Sequence, residues 1–383
     1  MKKKILFVST RSPFSNIFSG DRYRAKLIIK YLSKKNNIDV LYSDYSKGIK
    51  KKKIKSFFFN INLLDKIKGI FNSLIFLKPL QLGYFYSSDV NNFVKKNHGK
   101  YETIIFHMIR SAQYLPIDFE GKKILEMTDL QSKNYNQVAK SFSIFNPLFY
   151  IYYLEKLFVQ RYEKNCFKRF DKIIFVSKND IKNRYNLAEN KKIIEISNSF
   201  ELNKNLYKFN KKNNKILFIG NIKYLPNKLA CLDFTERIFP KINVIYPKIE
   251  FHIIGEIKKR DKKYLSSKKN VFCHGPIKKI DKIINRSLCG ICNLNIATGI
   301  QNKILTYMSY GLPCISTQIS YKNTILKKNK EILVYQNDND LINFIKKLKT
   351  DKKFSNKISK LSYLAVKSKY SEKKVLSQYQ KII

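Results

Sequence analysis

The stretch NIATGIQNKILTYMSYGLPCIST, residues 295–317, holds the most suggestive spacing in the chain. An apolar run ends at a glycine, a helix-period segment begins near Gln301, and a Gly-Leu-Pro break leads into another apolar run. Gly299 permits a positive φ or a close backbone approach. The amides of Ile300, Gln301 and Asn302 then lie at the mouth of a helix, with Lys303 on its first turn. A lysine there opposes the helix dipole, whereas free amides beside an ammonium suit a phosphate. The competing account is a surface lysine tolerated in a lysine-rich chain.

The first half repeats the device. STRSPFSNIFSGDRYRAKLI (9–28) follows an apolar run, carries Gly20, and leads into a helix whose early residues include Arg22 and Arg24. Helix-end amides and arginines suit a diphosphate. The pattern is not GxGxxG, so it is no dinucleotide fingerprint. His107, one of four histidines, ends the apolar run YETIIFHM (101–108), and Arg110 follows. A histidine at a strand end can contact a sugar or phosphate, or can serve as a hydrogen-bonded structural residue. Asp129 ends the next apolar run and can act likewise or cap the segment after it.

Metal and redox chemistry are poorly served. Of six cysteines only Cys289 and Cys292 form a CxxC, inside an apolar run and without a second pair. They read as buried strand thiols, and a reducing cytoplasm fits. No DxD-like pair is dedicated to a metal in the expected cleft, so no metal ligands are assigned and a metal-independent reaction is expected.

These residues must be held by elements that the pattern also shows. Short apolar runs alternate with helix-period segments: strands at 4–10, 38–43, 101–108, 122–128 and 172–177, with helices at 21–35 and 150–170. After a polar, linker-like stretch at 201–214 the rhythm restarts, with strands at 215–221, 249–256, 270–276, 289–295, 313–317 and 331–335 and a helical, lysine-rich tail. This is the βαβ rhythm of parallel sheets, and it predicts an α/β chain of two tandem Rossmann-like, doubly wound domains facing a cleft. The boundaries fall at 1–200 and 201–365, with a C-terminal helix, 366–383, that can pack back on the first domain. Ligands are expected at the carboxyl ends of the strands.

The 383 residues carry 76 Lys and Arg against 28 Asp and Glu, a net charge of +48. The charge suits phosphorylated ligands and anionic headgroups. It does not require nucleic acid, because lysines sit singly on nearly every segment and only KGIKKKKIK (47–55) is dense. The N-terminal run ILFV is too short for a signal peptide. FFFNINLLDKIKGIFNSLIFL (57–77) is the nearest approach to a membrane span, but Asp65, Lys66 and Lys68 argue against crossing. It reads either as an amphipathic helix on an anionic membrane surface or as an ordinary core helix with a solvated basic face.

In order and spacing, the chain resembles the retaining glycosyltransferases of the GT-B fold, family four (group 1), of a bacterial surface-polysaccharide type. The resemblance runs nearly end to end. Its marks are SGDRYRAKLIIKYL (19–32), PLQLGYFYS (79–87), FHMIRSAQYL (106–115), EMTDLQSKNY (126–135), ISNSF (196–200), ILFIGNIKYLPNKLACLDF (216–234), FHIIG (251–255) and GIQNKILTYMSYGLPCIST (299–317). It implies transfer of a sugar from a nucleotide diphosphate sugar to a glycan or lipid-linked acceptor, as in lipopolysaccharide biosynthesis, with no cofactor. The second domain holds the donor and the first the acceptor. Gly20 and Arg22 match the phosphate loop, His107 the histidine near the transferred sugar, and Arg110 and Asp129 fall on the acceptor side. Asn198 matches the hinge region. Asn221, Lys223 and Asn227 lie in the diphosphate loop. Residues Thr298, Gly299, Ile300, Gln301, Asn302 and Thr306 fall in the loop and helix that hold nucleotide and sugar, with Lys303 among the reacting groups.

Two departures stand out. The family's paired glutamates, eight positions apart, are Thr298 and Thr306 here, and the arginine after the diphosphate-loop glycine is Asn221. Lys223, Lys228 or Lys303 can supply the missing positive charge. Three rival readings follow: a catalytically impaired GT-B scaffold or partner subunit, a nucleic-acid binder supported by charge alone, and a GT-B epimerase disfavoured by the absent acids. The expected location is cytoplasmic, with peripheral contact at the inner face of the cell membrane.

Overall fold

The computed structural model describes residues 2–15, 19–44, 54–177, 181, 191–203, 206–277, 280–297 and 299–383. Most of the dense basic run, at 47–53, and Thr298 lie outside the described residues. The chain divides into two compact units, residues 1–197 with 375–383, and residues 198–374.

The first unit is built on a seven-stranded sheet in the order β3-β2-β1-β4-β5-β6-β7. Its strands are β1 (Lys4–Ser9), β2 (Asn37–Asp44), β3 (Ser56–Asn60), β4 (Thr103–His107), β5 (Lys122–Thr128), β6 (Lys172–Phe175) and β7 (Ile193–Glu195), all paired in parallel. The helices are α1 (Gly20–Leu32), α2 (Leu63–Ile75), α3 (Leu80–Tyr84), α4 (Ser88–Asn97), α5 (Gln131–Ala139) and the long α6 (Pro147–Arg169). Successive side chains on a strand point to opposite faces, so each central strand feeds two cores. Leu6, Val8, Ile104 and Phe106 pack on one face, and Ile5, Phe7, Val40, Tyr42 and Ile105 on the other. The second face is completed by Val375, Leu376 and Tyr379 from the end of the chain.

The second unit carries a six-stranded sheet, β10-β9-β8-β11-β12-β13. It comprises β8 (Lys215–Ile219), β9 (Glu250–Ile254), β10 (Val271–Gly275), β11 (Ser287–Cys292), β12 (Cys314–Thr317) and β13 (Leu333–Tyr335), again all parallel. Its helices are α7 (Leu225–Asp233), α8 (Phe239–Ile245), α9 (Lys259–Ser266), α10 (Asp281–Ile284), α11 (Asn302–Ser309), α12 (Gln318–Tyr321), α13 (Asp338–Thr350) and α14 (Lys352–Lys369), and α15 (Glu372–Ile382) closes the chain.

Each sheet reverses strand order once, between β1 and β4 in the first and between β8 and β11 in the second. Open α/β sheets bind ligands at such a switch point, outside the carboxyl ends of the strands. The second switch point is locked by Tyr307 of α11. Its hydroxyl accepts from the Ile219 amide at 2.8 Å and lies 3.3 Å from the Ile291 carbonyl, so it ties β8 to β11. The ring lies so close over Gly290 that a Cβ there would meet it at 2.3 Å.

Two elements differ from the pattern reading. The segment 57–77 is not one helix but β3 at the sheet edge followed by α2, because FFFN has β propensity and Asn62 caps α2 through the Asp65 amide at 2.6 Å. The stretch 201–214 is no loose linker where it is described: the Asn203 amide donates to Ser309 O at 3.2 Å, the Tyr207 amide to Tyr310 O at 2.8 Å, and the Tyr207 ring is buried.

Candidate functional site

In the first unit the switch point gathers a charged cluster around Asp21. Ser9 of β1 and His107 of β4 are paired in register, and α1 opens with Gly20 as its first residue and Asp21 as its second. The Asp21 carboxylate accepts from Arg110 and from Arg11, each at 3.0 Å. Burial alone would raise this carboxyl, but Arg110 and Arg11 outweigh it and hold it well below the usual carboxylate range. Arg110 also donates Nε to Thr10 at 2.7 Å and lies over the Phe85 ring. Burial, with repulsion from Arg11, lowers its pKa to about 10.

His107 is 2 % exposed and stacks on Phe7. Its Nε2 lies 3.0 Å from the Asp21 carbonyl. A carbonyl only accepts, so that nitrogen carries the proton and Nδ1 is left with a lone pair. Nδ1 is buried and has no hydrogen-bond partner. Burial lowers the pKa of the ring, against the pull of Glu126 and Asp21, so the imidazole is neutral at pH 7.

The arginines of α1 are committed elsewhere. Arg22 pairs with Asp44 at 3.1 Å and keeps one buried nitrogen, Nη1, without a partner. Arg24 serves the core rather than a phosphate: it is bound to Glu126 at 2.8 Å, to the Ile196 and Ser197 carbonyls, and to the Tyr379 hydroxyl of α15. Asp129 accepts from Thr128 and Gln131, and α5 takes Leu130 as its N-cap, so Asp129 does not cap that helix. Two residues that no sequence pattern signals flank the cluster: Met108 and Thr128 take positive φ, 68° and 70°, just past β4 and at the end of β5. Non-glycine residues held there cost of order 1–3 kcal/mol, and such strain gathers at functional sites.

In the second unit the switch point holds Gly220, the loop to α7, and the N-terminus of α11. Gly299 takes φ 62°, one of the two uses its position allows, and Gly311 takes φ 70° where α11 ends. Gln301 is the N-cap of α11, makes no side-chain cap, and no acid stands in the first turn. Asn198 donates to Asn302 Oδ1 at 2.6 Å and so braces that turn.

Lys303 is not a surface lysine. It is 8 % exposed, lies over the Phe218 ring, and donates Nζ to Asn227 Oδ1 at 2.8 Å. Asn227 in turn donates Nδ2 to the Asn221 carbonyl at 2.8 Å. One chain of bonds therefore links the loop after β8 to the first turn of α11. Burial lowers the Lys303 pKa. Its neighbours Cys292, Cys231 and Cys314 are pushed up by burial and stay protonated, so they supply no counter-charge. The other two candidate lysines are neutralised, Lys223 by Glu256 at 3.1 Å and Lys228 by Asp261 at 2.7 Å. Asn221 turns its Oδ1 back on the Lys223 amide. Thr306 donates its hydroxyl to the Asn302 carbonyl at 2.9 Å, so only its lone pairs are open to a ligand.

Residues 213–351 match the family model described as glycosyl transferases group 1. That match falls within the second unit, and the two open parallel sheets give the chain the GT-B fold. A protein of Klebsiella pneumoniae, described as an uncharacterized 44.6 kDa protein in the cps region, is 23% identical over 98% of both chains. Among solved structures, sucrose-phosphate synthase from Thermosynechococcus elongatus superposes with a TM-score of 0.74 at 13% identity, over 100% of this chain and 98% of its own. HepE of Anabaena, in complex with UDP and glucose, does so with a TM-score of 0.69 at 14% identity, over 99% and 98%. At such identities the structural likeness speaks to the fold.

Sequence reasoning named most of these positions but not their hub. Asp21 was open to detection as the one acid between Gly20 and Arg22. The pairing of Asn227 with Lys303 spans 76 positions and leaves no local signal.

Proposed function

We propose that the chain is a glycosyltransferase that moves a sugar from a nucleotide diphosphate sugar to a glycan or lipid-linked acceptor, with retention, in surface-polysaccharide or lipopolysaccharide synthesis. Lys303 carries the reading. A buried ammonium without a carboxylate is expensive, and it stands at an uncapped helix N-terminus at a switch point. An anion bound at Gly299, Ile300, Gln301 and Asn302 would meet both the amides and the charge. HepE, which shares the fold, is seen with UDP and with UDP-glucose, and the Klebsiella relative is described as a protein of the cps region.

On this reading the leaving diphosphate is stabilised by Lys303 and the α11 amides, and takes the acceptor proton on the face it departs from. The ribose hydroxyls meet the lone pairs of Thr306 and not a carboxylate. In the first unit the Asp21 carbonyl holds the His107 ring, which lies beside the transferred sugar as the resemblance implies. The test is nucleotide release from a panel of UDP-, GDP- and ADP-sugars, with and without glycan acceptors. One base should turn over, and His107→Gln should slow it by about tenfold, the size of one lost hydrogen bond.

Thr306 favours a second reading. An acid is absent where the resemblance expects one, and its hydroxyl proton is spent inside the helix. A scaffold subunit without transfer activity would bind the nucleotide weakly and release none from any sugar in the panel.

A further inference from the structure

The helix α2 is built inside out. Its buried residues are Gly69 and Ser73, while Leu63, Leu64, Ile67, Phe71, Leu74 and Ile75 are each more than half exposed. Glycine fixes this orientation. A Cβ on Gly69 would meet the Gly83 carbonyl of α3 at 2.4 Å, and one on Gly83 would meet the Gly69 carbonyl at 2.1 Å. The small face is therefore clamped down and the large apolar face turned outward. A core helix with a solvated basic face, the alternative offered by the sequence, does the reverse.

The exposure continues past the helix and onto its neighbour. Phe76 and Leu77 are exposed beyond the end of α2, and Phe145, Ile151 and Leu154 are exposed on and before α6. Behind α2, on the side of Gly69 and Ser73, lies a crevice of 540 Å³ whose lining includes Phe76, Leu77 and Phe158. Its lining also holds Lys78, Arg161 and Arg169 and no carboxylate. The Tyr162 hydroxyl is buried beside it without a hydrogen-bond partner. Glu155 of α6, outside that lining, accepts from the Leu80 and Gln81 amides. The basic run 47–55 stands just before this segment in sequence.

We infer that the first unit docks on an anionic lipid bilayer through the exposed faces of α2 and the start of α6, with a lipid phosphate seated in the crevice behind α2. The charge pattern decides the occupant. Apolar side chains that reach the acyl boundary, beside a crevice lined by Lys78, Arg161 and Arg169 with no carboxylate, fit a surface of anionic headgroups. No helix among the described residues is long and apolar enough to cross the membrane, which leaves contact in the plane of the interface. The inference stands apart from the transferase reading and needs no donor.

The chain has no tryptophan, so a single introduced indole reports on its own position. In the full chain, Phe71→Trp on α2 should shift its emission to the blue with mixed phosphatidylcholine–phosphatidylglycerol vesicles. Val244→Trp, exposed on α8 of the second unit, should not. The pair Phe71→Asp with Leu74→Asp, both at exposed positions, should lower vesicle partitioning by more than about tenfold. Arg161→Glu with Lys78→Glu should abolish the preference for anionic over zwitterionic vesicles. Equal partitioning of the wild type and the aspartate pair overturns the proposal. So does a wild-type dimer in light scattering, dissolved by the aspartate pair, that ignores vesicles, because the face then belongs to a second copy.

Discussion

The Nζ of Lys303 donates to Oδ1 of Asn227 at 2.8 Å, and burial, without a neighbouring carboxylate, lowers its pKa. The ammonium is thus held at a cost that a bound anion would offset. Lys303→Met keeps the stem and removes the charge. It should leave the fold as stable as before or stabilise it. A lysine with a depressed folded pKa binds fewer protons than its unfolded counterpart, so its penalty shrinks as pH rises. The gap in melting temperature between variant and wild type should therefore narrow toward alkaline pH in a thermal series.

Asn227→Asp supplies the missing carboxylate. The folded state should gain stability, read as a higher melting temperature, while affinity for a nucleoside diphosphate should fall by about tenfold or more as the new charge competes with the ligand. A variant that melts higher and binds as tightly as the wild type would show that the ammonium does not meet the ligand.

Arg24 illustrates the opposite use of a buried charge. It bonds Glu126 on β5, two carbonyls beyond β7 and Tyr379 on α15, and Tyr379 donates to the same glutamate. Arg24→Ala leaves the Glu126 charge unmatched and should cost about 3–5 kcal/mol in chemical denaturation. Tyr379→Phe should cost about 1–3 kcal/mol. Deleting 375–383 removes Val375, Leu376 and Tyr379 from one face of the first core and should destabilise that unit far more.

Asp21 makes the first unit acid-sensitive. Its folded pKa is depressed, so its contribution is complete above about pH 4 and is lost as pH falls further. Asp21→Asn should flatten the acid limb of the stability curve and lower stability at neutral pH, since Arg110 and Arg11 then face each other without a counter-charge. An unchanged acid limb in the variant would remove Asp21 from the account.

Much of this was legible in residue order. The parallel strands announced themselves as short apolar runs, and Gly299 and Gly311 fell where positive φ was needed, because backbone conformation is a local property. The short edge strands β3 and β7 were missed, since three to five residues beside polar turns carry little period. Lys303 was placed on the right helix, but its burial was invisible: depth depends on Phe218 and Asn227, brought in from other elements by the sheet. The orientation of α2 was ambiguous for the same reason. Its composition suits a core or a membrane equally, and only the packing of Gly69 against Gly83 decides which face turns outward.

The central claim is that the β8–β11 switch point, armed by Lys303, binds a nucleoside diphosphate. Calorimetric titration of the purified chain with UDP, GDP and ADP, beside Lys303→Met, tests it directly. The account predicts saturable binding of one diphosphate by the wild type and a loss of about tenfold or more in the folded variant. Binding of none of the three, or equal binding by both proteins, would contradict it.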